Sequence, residues 1–223
     1  MGSILIFCAH SDDQVLGAGG TMAKYAREGL DVYTYIFSYG ELSHPHMNRD
    51  FIKNVRVEES ENADKIIGGK GVFFLGLKDG AMAKEIKNKN VYAKLKEIML
   101  KHKPEKIFTH SVDDMLPDHR SVRRAVLRAY DELKKSNNFS CDVYSFDVWN
   151  LLNIGKRNNP VLVVDVTKNF KTKIKALHQF KSQINVFTHA YFVNILYLGV
   201  YVRAFLYGLK YKYRFAEVFY KLR

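Results

Sequence analysis

Two short stretches hold the side chains with the greatest chemical reach. Residues 10–14 read His10-Ser11-Asp12-Asp13-Gln14, directly after the apolar run Ile4-Leu5-Ile6-Phe7-Cys8. Residues 109–120 read Thr109-His110-Ser111-Val112-Asp113-Asp114-Met115-Leu116-Pro117-Asp118-His119-Arg120. A pair of adjacent carboxylates at the start of a helix is tolerated by the helix dipole, but it repels phosphate and favours a cation. Gly17, Gly19 and Gly20 follow, and they do not fall into the G-x-G-x-x-G spacing of a dinucleotide site. His10 and Asp13 can reach one metal ion across a tight turn, with Asp12 aimed to the side, next to whatever the metal binds. Taken alone, the same residues also read as a helix cap, Asp12 and Asp13, beside a hydrogen-bonded loop histidine. His119 lies in the first turn of a helix begun by Pro117 and Asp118, and completes a His-Asp-His set. Three protein ligands with an open fourth position are how catalytic zinc is held, and such a zinc brings its bound water to a pKa of about 7. Asp12 is the candidate base for that water.

These residues need strand ends and helix starts to hold them, and the chain supplies both in alternation. Ile4–Cys8 is too short and too apolar for anything but a strand buried on both faces. A helix is expected over Gln14–Glu28, stopped by Gly29, then a strand over Val32–Phe37 and a polar loop over Ser38–Arg49. An amphipathic helix follows over Phe51–Ile67, a strand over Val72–Leu75 and a helix over Asn90–His102. Lys106–Thr109 reads as the next strand and Asp118–Lys135 as the next helix. Val143–Trp149 and Val161–Val166 read as later strands, with a turn over Lys156–Pro160, and Phe170–Gln183 as a lysine-rich helix. This order argues for an α/β, Rossmann-like, mainly parallel sheet with helices on both faces, in which ligands sit beyond the carboxyl ends of the strands.

The chain has 223 residues, 47% of them hydrophobic and 13% aromatic, with 35 Lys and Arg against 23 Asp and Glu for a net charge of +12. That composition excludes intrinsic disorder and collagen-like repeats, and the length suits one domain over residues 1–223. Two cysteines, Cys8 and Cys141, exclude a disulfide scaffold or a four-cysteine zinc module. The early apolar run breaks at His10, so no secretory signal is expected. Residues 1–185 make the α/β core, while 186–223 form a basic, tyrosine-rich segment holding seven of the fourteen tyrosines and a single acid, Glu217. Within it, Ala190–Leu209 carries one charge, Arg203, over about the length that spans a bilayer. A charge near the centre of a span is costly. Helices packed on the domain are therefore the expectation, ahead of a face lying on a membrane and of a true span. Basic residues are spread over Lys134–Arg223 rather than gathered in a recognition helix, which makes nucleic acid an unfavoured partner.

His10-Ser11-Asp12-Asp13 with Gly19-Gly20, together with Pro117-Asp118-His119, closely resembles the PIG-L/LmbE-like family of zinc-dependent N-acetylglucosaminyl deacetylases. The likeness extends to Arg56 and Glu59, Leu77-Lys78-Asp79-Gly80, Lys175-Ala176-Leu177 and Ser182-Gln183, and covers about residue 3 to Glu217. It implies zinc at His10, Asp13 and His119, with Fe²⁺, Co²⁺ or Mn²⁺ as substitutes, and Asp12 as general base and proton donor to the leaving amine. It also implies sugar contacts from Arg56 and Asp79. The substrate implied is an N-acetylglucosamine-type sugar or conjugate, free or lipid-linked; the two cysteines fit a reducing, cytoplasmic compartment, and the basic, tyrosine-rich tail suits the inner face of an anionic membrane. Three positions depart from the family pattern: Ser11 replaces a proline, Gln14 a glutamate, and Leu116 the first histidine of His-Pro-Asp-His, a stabiliser of the oxyanion. Losing one such donor costs about 10²–10³ in rate. His110, His44 and His46 are the candidate substitutes. The alternative is a weakened or inactive member of the fold that binds sugar or membrane.

Overall fold

The computed structural model describes residues 2–44, 47–88, 90–137, 139–149, 161–184 and 190–223. Strand β1 (Ser3–Cys8) leads to helix α1 (Asp13–Arg27), β2 (Asp31–Ser38), α2 (Arg49–Ile67), β3 (Gly71–Leu77), α3 (Met82–Asn88), α4 (Val91–His102), β4 (Lys106–His110) and α5 (Pro117–Asn137). The chain continues through β5 (Asp142–Phe146), β6 (Val161–Asp165), α6 (Phe170–Leu177), α7 (Lys181–Ile184), α8 (Ala190–Tyr211) and β7 (Ala216–Lys221).

All seven strands join one sheet in the order β3-β2-β1-β4-β5-β7-β6. The first five are mutually parallel, and β7 runs antiparallel to both β5 and β6. The α/β, mostly parallel architecture read from the alternation is therefore the observed one. Every residue of β1 is buried, and its side chains divide by parity. Ile4, Ile6 and Cys8 pack with α1, α2, α6 and α8, whereas Leu5 and Phe7 pack with α3, α4 and α5. A central parallel strand needs two apolar faces, which is why its sequence is an unbroken apolar run. The strand order reverses between β1 and β4, so the loops after these strands diverge and leave a crevice at their carboxyl ends.

Several boundaries differ from expectation. The strand expected over Val143–Trp149 ends at Phe146, and Trp149 turns into a loop. The lysine-rich helix divides into α6 and α7, and α3 has no counterpart in the sequence reading. Among the described residues the aromatic-rich C-terminal segment is helical over α8 alone; its last residues enter the sheet as β7. Among the described residues no helix is long and apolar enough to cross a membrane. The turn expected at Lys156–Pro160 lies outside the described residues.

A buried ion pair ties these late elements to α1. Lys173 Nζ of α6 lies 2.6 Å from Glu217 Oε1 of β7 and donates to Leu16 O at 2.9 Å. Glu217 in turn accepts from Gly20 N (3.1 Å), Thr21 N (2.7 Å) and Thr21 Oγ1 (2.7 Å). Leu16 O and Gly20 N–H are the two groups of one i, i+4 helical bond, and each has a partner in the pair. Gly17 is tight for a different reason: a Cβ there would come within 2.3 Å of the Phe146 ring. Helix α1, which carries the acidic pair at its start, is thereby pressed against β5 and pinned to β7.

Candidate metal centre

The loop after β1 delivers His10, Asp12 and Asp13 to the crevice, and the first turn of α5 delivers His119. His10 Nδ1 lies 3.2 Å from His119 Nε2, and Asp13 Oδ2 lies 3.5 Å from the first and 3.3 Å from the second. Two imidazole nitrogens and a carboxylate oxygen converge on one point, a donor set that suits a divalent transition metal. Asp13 and His119 are buried and His10 is partly exposed, so a bound ion would face the crevice from one side only.

Each imidazole has a second carboxylate on its far nitrogen. Asp79 Oδ1 lies 3.2 Å from His10 Nε2, and Asp114 Oδ1 lies 3.0 Å from His119 Nδ1. A carboxylate on the distal nitrogen fixes tautomer and ring orientation, leaving the other nitrogen free as a ligand. His10 would then present Nδ1 and His119 Nε2, the two atoms that face each other. Asp114 Oδ1 also accepts from Leu116 N at 3.1 Å, and Asp79 Oδ2 accepts from Leu42 N at 3.1 Å. Both carboxylates are thus held by backbone as well as by the rings they orient.

Burial would raise the pKa of Asp13, but the positive fields of His119 and His110 and a bond to His10 outweigh it and hold the carboxyl well below its ordinary value. Burial would likewise lower His10, yet bonds to Asp118, Asp13 and Asp79 hold it well above. Asp12 is raised, chiefly by burial, with Arg56 opposing the shift. Its side chain makes no helix-capping bond, and the Asp13 carboxylate accepts from His10 N at 2.8 Å. The capping alternative for the acidic pair is not the arrangement observed.

Arg56 reaches the crevice from α2. It is 2% exposed, its Nε donates to Ser11 Oγ at 2.6 Å, and its Nη2 lies 3.5 Å from Asp12 Oδ1. Gly40 makes room for it, since a Cβ on that positive-φ residue would come within 2.9 Å of Arg56 Nε. Among the described residues Arg56 Nη1 has no hydrogen-bond partner. Arg56, Asp12, Asp13, His10 and Asp79 border a cavity of about 500 Å³, walled on its apolar side by Leu116, Trp149 and Leu196.

The histidines considered as replacements at Leu116 lie elsewhere. His110 is fully buried behind the centre, its ring stacked on His119 at 3.9 Å and its Nε2 accepting from Ala9 N at 2.9 Å. Burial, with the neighbouring His119, pushes its pKa down to about 4. It does not border the cavity and cannot touch a substrate there. His44 is buried against Ser182 O, 3.0 Å from its Nε2, on a neighbouring groove. His46 lies outside the described residues. Asp79 borders the cavity, but its oxygens engage His10 and Leu42 rather than standing free for a sugar.

Sequence reasoning missed Asp114, and a signal for it existed. His110-Ser111-Val112-Asp113-Asp114 repeats His10-Ser11-Asp12-Asp13 with one inserted residue, at the end of the neighbouring strand. Trp149 and Leu196 carry no comparable signal, because only the tertiary fold brings them to the crevice.

Three comparisons bear on this arrangement. A probable N-acetyl-alpha-D-glucosaminyl L-malate deacetylase 2 from Bacillus cereus is 26% identical over 206 residues, covering 86% of this chain and 89% of the relative. The 4-carboxy-2-hydroxymuconate hydratase GalB from Pseudomonas putida has the same fold, with a TM-score of 0.82 at 21% identity over 100% of this chain and 97% of that one. So does N,N'-diacetylchitobiose deacetylase from Pyrococcus horikoshii, with a TM-score of 0.79 at 20% identity over 99% and 83%. The family model for GlcNAc-PI de-N-acetylase, PIG-L, matches residues 5–130, the stretch that contains every residue of the His-Asp-His centre, and this chain belongs to that family.

Proposed function

We propose that this chain is a metal-dependent N-deacetylase that hydrolyses the acetamide of an N-acetylglucosamine-type sugar or conjugate. The observation that carries the reading is the convergence of His10 Nδ1, Asp13 Oδ2 and His119 Nε2 at the edge of a cavity that also holds Asp12 and Arg56. His10, Asp13 and His119 would hold the cation, zinc first and Fe²⁺, Co²⁺ or Mn²⁺ as substitutes. When bound, the metal supplies Lewis acidity toward an amide carbonyl and brings a water's pKa to about 7.

The remaining chemistry falls to the chain. Asp12 takes the proton of the attacking water on its carboxylate and returns it to the departing amine, so that acetate and a free amino sugar leave. Arg56 Nη2 keeps that carboxylate in place. Asp79 and Asp114 hold the two imidazoles in the tautomers that ligation requires. Trp149, Leu116 and Leu196 offer an apolar wall to a sugar face and keep bulk water away. The curated relative named for a glucosaminyl malate supports a small amino-sugar conjugate as substrate. A lipid-linked acceptor at the inner face of a membrane in the cytoplasm is the setting that the basic tail favours.

Leu116 favours a second reading, in which metal and sugar bind without turnover. Acetate release from N-acetylglucosamine conjugates, measured on metal-loaded protein and on Asp12→Ala, separates the two. Turnover that Asp12→Ala abolishes supports the deacetylase. One metal per chain with no acetate from any conjugate supports the second reading, and no metal binding refutes both.

A further inference from the structure

Helix α8 is apolar on two sides, and only one of them is covered. Leu196, Val200, Ala204 and Tyr207 face inward and are buried. Leu198, Tyr201, Val202, Phe205, Leu206 and Leu209 face outward, with Leu198 63% and Leu209 60% exposed. Their spacing of three and four places them on one stripe of about 16 Å at the helical rise. Contiguous apolar exposure of this kind marks a contact surface rather than ordinary surface scatter.

Its surroundings say what meets it. Exposed Lys210, Lys212 and Arg214 follow its carboxyl end. Exposed Lys168, Lys171 and Lys175 belong to α6 and the loop before it, and Phe170 of that helix packs its ring 5.4 Å from Tyr201 of the stripe. None of these six forms an ion pair among the described residues. Residues 161–223 contain eleven Lys and Arg but only two acids, Asp165 and the buried Glu217. A second copy of the chain would bring a surface of the same net sign, whereas anionic headgroups neutralise these cations.

We infer that the outer face of α8 docks this protein on an anionic lipid bilayer, its apolar stripe entering the headgroup boundary and the flanking lysines meeting phosphate. Leu196, which borders the candidate metal-centre cavity, lies on the inward side of the same helix, so α8 walls the cavity with one face and presents the stripe on the other. The inference stands on this surface alone and does not need the deacetylase reading to hold.

Co-sedimentation with phosphatidylcholine vesicles, with and without phosphatidylglycerol, tests it. The full chain should partition onto the anionic vesicles, with binding that weakens steeply as salt is raised. Leu198→Asp/Leu209→Asp should lower the partition at least tenfold, and Lys210→Glu/Lys212→Glu should lower it by about 25-fold or more, at roughly fivefold or more per charge reversed. The thermal transition of each variant reports folding. Should the aspartate pair fail to fold, the glutamate pair, confined to exposed side chains, decides the matter. No binding to anionic vesicles overturns the inference, as does binding that neither pair changes. A dimer in sedimentation velocity that Leu198→Asp/Leu209→Asp dissociates, without vesicle binding, would assign the stripe to a second copy instead.

Discussion

Replacing Lys173 by methionine should be among the most destabilising single changes in the chain, although Lys173 lies outside the cavity. Its ammonium is buried with Glu217 at 2.6 Å and also donates to Leu16 O. Burial lowers its pKa and Glu217 opposes that shift. Removing the cation leaves a carboxylate in the interior with three neutral donors, Gly20 N, Thr21 N and Thr21 Oγ1, and leaves the Leu16 carbonyl short of one donor. Breaking a buried pair costs about 3–5 kcal/mol, and the three remaining donors place this case at about 3–4 kcal/mol, a large share of the 5–15 kcal/mol typical of a domain. Urea denaturation near neutral pH with a two-state fit reads it directly. Lys173→Met/Glu217→Gln should cost less than the sum of its singles by about 1–3 kcal/mol, because the two groups are in contact. A cost below about 1 kcal/mol for Lys173→Met, or singles that add within about 0.5 kcal/mol, would refute the account.

Asp64 sits near the end of α2 with its pKa raised to about 6, mainly by burial and partly offset by a bond from Gly71 N. A folded pKa above the unfolded one means that this residue favours folding as pH drops from about 6 toward 4 and opposes it above. Asp64→Asn should therefore gain about 2–3 kcal/mol at pH 8 and lose that advantage as pH falls to about 4, measured by denaturation at both values. Asp114→Asn should weaken metal affinity by about 10–100-fold through loss of the anchor on His119, read by competition with a chelating dye. An unchanged affinity would remove Asp114 from the centre. Leu116→His should raise kcat for acetate release by about 10²–10³ if the missing donor limits the rate, and no rise with metal still bound would assign the limit elsewhere.

The sheet was legible because its central strands are fully buried, which forces unbroken apolar runs such as Ile4–Cys8 and puts punctuation at both ends. The convergence of His10, Asp13 and His119 was legible because the His10 loop follows a strand directly and Pro117-Asp118 announces the helix that carries His119. Strand β7 was not. Its residues Ala216–Lys221 sit in a segment dominated by aromatic helix, and Glu217 reads as a surface acid until its partner, 44 residues away, is known. The orienting contact of Asp79 was invisible for the same reason: a loop acid after β3 meets His10 only across the crevice. Asp12 illustrates a finer limit, since sequence alone allowed both a cap and a base, and the structure bears only on the first, showing no capping bond from its side chain.

The position of β7 has a consequence for how the chain is made. Synthesis delivers β5 and β6 well before the strand that joins them, so until residues 216–221 emerge both present unpaired backbone along the sides where β7 will lie. An open strand edge is an aggregation hazard, and the pairing that closes these two spans the greatest sequence distance in this half of the sheet. The anchor that steadies α1 arrives on the same strand. A nascent chain can therefore collapse around β1–β5 early, but it acquires a firm reactive end only when its final strand slots into the interior, as a keystone would.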